Sequence, residues 1–126
     1  MATNTFVACI SDLFNVLASD SVGTSRVSGV TKVYAYEPAN HQSLKPVVVT
    51  ISPAGMTPYD WTIALRVYQT TDVDPAAAQS NIISMTTAID SLLFSTVYGP
   101  SNWTFDLNND LGVIVATAIL EVGRTE

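Results

Sequence analysis

The run GVIVATAIL, at positions 112–120, constrains the fold of this chain more than any other segment. It is far shorter than the roughly 20 residues that a membrane-spanning helix needs, and its Val, Ile and Thr residues favour a β-strand. Both alternating faces of such a strand are apolar, with Val113, Val115, Thr117 and Ile119 on one and Ile114, Ala116, Ala118 and Leu120 on the other. We therefore expect this strand to lie inside a sheet, covered on both faces.

Two further segments have the spacing of amphipathic helices. Residues 6–17 place apolar side chains on one helical face, and Thr3 or Asn4 precedes them as a helix N-cap. Asp74 and Pro75 have the residue types preferred at an N-cap and at the first helical position. The helix that they begin carries one apolar stripe, formed by Ala78, Ile82, Met85, Ile89 and Leu92. Both helices are expected to pack on a sheet.

Four segments alternate as strands do, namely VTKVYAYEP, PVVVTIS, YDWTIALRVYQT and WTFDL. The intervening PAGMTP carries two prolines and a glycine, which predicts a loop or hairpin tip. The order is helix, three strands, helix, two strands. We predict one α+β domain over residues 1–126, with a mainly antiparallel sheet of about five strands and two helices packed on one of its faces.

The second face of this sheet has no helix left to cover it. Its predicted side chains include Tyr34, Tyr36, Arg66 and Tyr68, which are amphipathic rather than strongly solvating. These residue types are enriched at protein interfaces, so we predict that the four form a subunit interface with another copy of the chain. They also suit a stacking platform for single-stranded nucleic acid. Five basic residues and a net charge of −6 argue against that alternative.

No catalytic, metal or cofactor site is predicted, and we expect a protein that is not an enzyme. His41 is the single histidine and lies in a polar loop, and Cys9, the single cysteine, belongs to the apolar pattern of the first helix. The segments TDVDP and DLNND contain acidic and amide groups but not the spacing of a calcium loop. They serve readily as a helix cap and a turn. The first residues have no basic region of the kind that a signal peptide carries.

The chain resembles the tail terminator proteins of long-tailed bacteriophages. The resemblance is carried by FVACISDLF, by VYAYEP, by the strand and helix over WTIALRVYQTTDVDPAAAQSNIISMTTAIDSLL, and by WTFDLNNDLGVIVATAILEVGR. It is a likeness in the order of elements and in residue texture over nearly the whole chain, without a short diagnostic motif.

The resemblance implies a virion protein of the tail–neck region that is assembled in the host cytoplasm. Such proteins form a ring, typically hexameric, that caps the head-proximal end of the tail tube and stops its polymerisation. The ring joins the tail to head–tail connector proteins, and double-stranded DNA passes through its lumen. No membrane is involved. An acidic lumen suits DNA transit because it does not hold the phosphate backbone.

Two loops are the predicted docking sites for the tube and the connector, because loops usually reach neighbouring proteins. The loop PANHQSLKP contributes His41 and Lys45, and the loop SPAGMTPYD contributes Met56 and Tyr59. Two alternatives remain open. One is a tail tube, connector or minor tail subunit, and the other is a small ligand-binding α+β domain.

Overall fold

The computed structural model describes residues 5–27, 29–36, 47–70, 75–94, 96, 98, 102–107 and 113–123. Within them the chain forms an α+β fold, as predicted, with two helices and a five-stranded sheet. The elements are α1 (Phe6–Leu17), β1 (Lys32–Tyr34), β2 (Val47–Met56), β3 (Asp60–Thr70), α2 (Pro75–Leu93), β4 (Trp103–Asp106) and β5 (Val113–Gly123).

The sheet has the strand order β1-β2-β3-β5-β4. It is mixed rather than purely antiparallel, because β1 pairs with β2 in parallel while the other three pairs are antiparallel. Twelve residues, 35–46, separate β1 from β2, and a connection of about a dozen residues is what a parallel pair requires. The strand β5 lies between β3 and β4. The apolar run near the end of the sequence therefore forms an internal strand of the sheet, as its composition predicts.

Helix α1 starts where a threonine side chain satisfies one of its free backbone amides. Thr5 has an extended backbone, and its hydroxyl accepts a hydrogen bond from the Ala8 N–H at 3.0 Å. The N-cap is therefore Thr5 and not Thr3 or Asn4, which lie outside the described residues. Cys9, Leu13 and Leu17 form the buried face of the helix. They fall on one side because residues three and four apart share a helical face.

The main core lies between both helices and one face of the sheet. Its strand residues alternate strictly, so that Trp61, Ile63, Leu65 and Val67 of β3 face the helices. In α2, Ala78, Ile82, Ile89 and Leu93 are fully buried. Leu92, predicted in the stripe, is only partly buried, since the step of four from Ile89 carries Leu93 inward. Trp61 also stacks on Phe6, with ring centroids 5.7 Å apart.

The hairpin of β2 and β3 is longer than predicted. PAGM belongs to β2 rather than to a loop, and the register shifts between Pro53 and Gly55. The residue without a partner in β3 is Ala54, since Pro53 lies opposite Ile63 and Gly55 opposite Thr62, and proline inside a strand is found at such bulges. The turn itself is closed by Thr57, whose hydroxyl accepts from the Tyr59 and Asp60 amides at 3.2 and 2.9 Å.

Candidate functional site

The sheet face turned away from the helices is the surface on which the predicted interface lies. Its small apolar cluster consists of strand residues only: Val48, Tyr68 and Val113 are buried there, with Tyr34 and Val115 packed against them. Pairing places Lys32, Val48, Tyr68, Val115 and Asp106 in one row across all five strands. At about 4.8 Å per strand, that row spans about 19 Å between a basic end and an acidic end.

The structure does not place all four predicted interface residues at the surface. Tyr68 is only 3% exposed within the single chain, where it lies on β3 between β2 and β5 and belongs to the cluster with Val48 and Val113. Its ring belongs to the chain's own packing, which corrects its assignment as a contact residue. Arg66 is half-buried on the same face, and its Nη1 donates to the Ser52 Oγ at 3.3 Å.

Tyr34 and Tyr36 lie together at the β1 end of the sheet. Their rings meet edge to face at 5.5 Å between centroids, and the Lys32 ammonium is 4.9 Å from the centre of the Tyr34 ring. Tyr36 is 59% exposed and lies beyond the end of β1. This corner offers two aromatic rings, a residue type enriched at protein interfaces, and a cation over one of them.

The outer edge of β1 is occupied by the loop that follows α1. The Val33 N–H donates to the Gly23 carbonyl at 2.8 Å, and Thr24 pairs with Lys32 in an isolated antiparallel β-bridge. Asp20 organises this loop, since its Oδ1 accepts from the Val22, Gly23 and Thr24 amides, each at 3.1 Å. Hydrogen bonds from the Thr24 side chain and from these amides lower the pKa of the Asp20 carboxyl.

A groove of about 240 Å³ lies between α1, this loop and β1. We name it the β1 groove, and its lining is Phe14, Ser21, Val22, Lys32, Val33, Tyr34, Ala35 and Tyr36. Val22 and Tyr36 are exposed at its rim. The groove is lined by both apolar and polar groups and has one cation, so it suits an apolar side chain accompanied by an acidic group.

A second groove, of about 420 Å³, lies at the opposite end of the sheet. We name it the α2–β4 groove, and its lining is Thr86, Thr87, Asp90, Ser91, Phe94 and Trp103. The Trp103 indole N–H donates to the Asp90 Oδ1 at 3.2 Å, which fastens the short β4 strand to α2. Phe94 follows the last residue of α2 and is 72% exposed. The sequence reasoning missed this groove, although a phenylalanine just past a helical stripe was a usable signal.

Of the predicted docking residues, Met56 and Tyr59 lie together at the tip of the β2–β3 hairpin. Both are exposed, Tyr59 to 80%. His41 and Lys45 lie outside the described residues. Tyr59 is the most exposed aromatic side chain in the described part of the chain, and the Thr57 hydrogen bonds close the turn that carries it.

Cys9 and the acidic segments TDVDP and DLNND are among the residues of the sequence that could carry chemistry. Cys9 is buried, and burial raises the pKa of its thiol, with the nearby Asp12 carboxylate adding to the effect. A thiol with a raised pKa is a weaker nucleophile at neutral pH, since less thiolate is present. Within the described ranges there is no group of three His, Cys, Asp or Glu residues that could hold a metal ion. The segment TDVDP, apart from Pro75, lies outside those ranges, as do the last three residues of DLNND.

In the described residues, neither helix has the length and apolar character that crossing a membrane requires. Comparison with known proteins adds no relative: no family model, no curated protein and no solved structure matches this chain. The surfaces described above are therefore the features of the molecule that bear on its function.

Proposed function

We propose that this chain is a structural subunit of a bacteriophage tail, and that its copies form a ring, with six subunits as the favoured number. The ring caps the head-proximal end of the tail tube, stops tube polymerisation and joins the tail to the head connector. DNA passes through its lumen, and the assembled protein lies at the neck of the virion. The single observation that carries the proposal is the corner at the β1 end of the sheet, where the Tyr34 ring, the 59% exposed Tyr36 ring and the Lys32 ammonium lie together.

The surface composition supports an assembly role. Only 13% of the residues are charged while 48% are hydrophobic, so a lone subunit has little charge with which to solvate its surface. Tyr34 and Tyr36 at the β1 end of the sheet, and Arg66 two strands away on β3, supply the interface side chains. A net charge of −6 per subunit keeps the lumen from holding the DNA backbone.

The hairpin tip is the surface that we assign to the tail tube. Met56 and Tyr59 are exposed at the end of a long hairpin, and aromatic and methionine side chains are enriched where proteins bind one another. The loop with His41 and Lys45 is assigned to docking on the tube or the connector, on its predicted loop position alone.

The test is a tube-capping assay. The tube protein encoded with this chain is polymerised, and the chain is added while tube length is followed by negative-stain electron microscopy. We expect elongation to stop at far less than one chain per tube subunit, with density added at one tube end only.

The double variant Met56→Ser, Tyr59→Ser should lose most of this capping, by about tenfold or more in the concentration required, while its circular dichroism is unchanged. Val7→Ser, at an equally exposed apolar position of α1, is the matched control. Decoration along the tube sides, or no effect on length, would refute the proposal. Tubes formed by this chain alone would favour the tube-subunit alternative.

A further inference from the structure

We infer that the two ends of the sheet are the two halves of one contact: Phe94, at the rim of the α2–β4 groove of one copy, enters the β1 groove of the next. This inference rests on the proposed function in one respect, namely that a ring needs two different patches on each subunit. It goes further by naming both patches and the residues that meet.

Charge favours this pairing over the symmetric ones. The α2–β4 groove carries the Asp90 carboxylate, and the β1 groove carries the Lys32 ammonium. Two α2–β4 grooves placed face to face would oppose Asp90 to Asp90, and two β1 grooves would oppose Lys32 to Lys32. Only the head-to-tail arrangement joins opposite charges, and like charges across an interface suppress the alternatives.

Shape favours the same pairing. Phe94 projects from the end of α2, and 72% of its surface is exposed. The β1 groove is an open groove of about 240 Å³ along Phe14, Val33 and Tyr36, and a volume of roughly 150 Å³ is enough to hold a benzene ring. Phe94 of one copy therefore fits the β1 groove of its neighbour, beside Lys32.

The arrangement of edges fits a head-to-tail contact as well. Backbone groups of Gly23 and Thr24 already occupy the outer edge of β1. In the described part of the chain, β4 pairs with β5 alone. The two ends of the sheet are therefore different surfaces. A standard interface buries about 800 Å² per partner, so two of them would use a modest part of the 6891 Å² that one chain exposes.

The test is a charge exchange on the purified chain, followed by sedimentation velocity over a concentration series at low salt. We expect Lys32→Glu and Asp90→Lys each to weaken self-association by about tenfold or more, because each variant opposes like charges at every contact. An equimolar mixture of the two should associate again, to within about threefold of the original chain, since each variant then meets its complement.

Two further variants guard against a fold defect. Asp90→Asn keeps an oxygen that accepts from the Trp103 indole and removes only the charge, so it should weaken association while the melting temperature stays unchanged. Phe94→Ser should also weaken association, whereas Val7→Ser should not.

A chain whose mass does not rise with concentration, alone or in the mixture, would overturn the inference. So would association that Lys32→Glu leaves intact, since it would indicate symmetric pairing through the α2–β4 groove. Failure here leaves the capping assay free to succeed. An assembly that responds to the exchange but does not cap tubes would instead refute the proposed function.

Discussion

Tyr98 joins the segment after α2 to helix α1 through one phenolic hydroxyl. That hydroxyl donates to the Asp12 Oδ2 at 2.8 Å and also lies 3.3 Å from the Cys9 carbonyl oxygen, although the residues are far apart in the chain. Burial raises the pKa of Tyr98, and the hydrogen bond to the Asp12 carboxylate raises it further. Folding therefore favours the neutral phenol.

The first prediction concerns Tyr98→Phe. Because the folded-state pKa of Tyr98 lies above its unfolded value, its contribution to stability is complete below about pH 10 and is lost as the pH rises further. The variant should be about 1 kcal/mol less stable at neutral pH, and its free energy of unfolding should fall less between about pH 8 and about pH 11. Denaturant unfolding across this range measures both effects. Equal alkaline slopes in the two proteins would contradict the assignment.

At the scale of elements, the three-residue strand β1 depends on the loop that occupies its outer edge. Gly23 lies in that loop with a φ of +95°, a backbone conformation that side chains disfavour. A Cβ atom placed there would clash with the Val33 carbonyl oxygen, which is a backbone atom and not the end of a flexible side chain. The loop and β1 therefore pack this closely only because residue 23 has no side chain.

The second prediction compares Gly23→Ala with Gly29→Ala. Gly29 has a similar φ of +92°, but a Cβ there would meet the Met85 side chain, which can move aside. Both variants carry the backbone strain, so Gly23→Ala should cost roughly 2 kcal/mol or more and Gly29→Ala clearly less. Thermal unfolding measures the difference. Losses of equal size would show that the approach to Val33 is not a close one.

Much of the element layout follows from local pattern, and some of it does not. Alternation along β3 correctly assigns Trp61, Ile63, Leu65 and Val67 to the helix face. The extension of β2 through Pro53 depends on a bulge opposite Thr62 and Ile63 of β3. Local sequence does not show which segment will be the partner strand. The parallel pairing of β1 with β2 is not visible in local sequence either. The register and direction of a strand are set by contacts between segments distant in the chain.

For the whole molecule, Arg66 connects the fold to the proposed ring. It lies on the face away from the helices, beside Thr50 and Thr117 in the neighbouring strands. The third prediction is that Arg66→Glu weakens ring formation by about tenfold while the domain stays folded. Arg66→Gln is the control, since it keeps an N–H donor for Ser52. Should the melting temperature fall while assembly is unaffected, Arg66 belongs to the internal packing and not to the interface.

The candidate surfaces show where sequence reasoning ends. Alternation predicts the same sheet face for Tyr34 and Tyr68, but Tyr34 lies on an edge strand and Tyr68 on a central one. Alternation gives the face of a side chain and not its depth, which depends on strand order. The α2–β4 groove forms because β4 lies beside α2. This proximity depends on the strand order, which local sequence does not show.

The central position of β5 has a consequence for synthesis on the ribosome. β5 follows every other strand in the chain, yet it pairs with β3 along all eleven residues and also holds β4. Until β5 has been made, β3 has a partner on one side only, and its other edge is an open template for unwanted pairing. The nascent chain therefore cannot complete its core early. A premature stop within β5 would yield an aggregating fragment rather than a smaller folded protein.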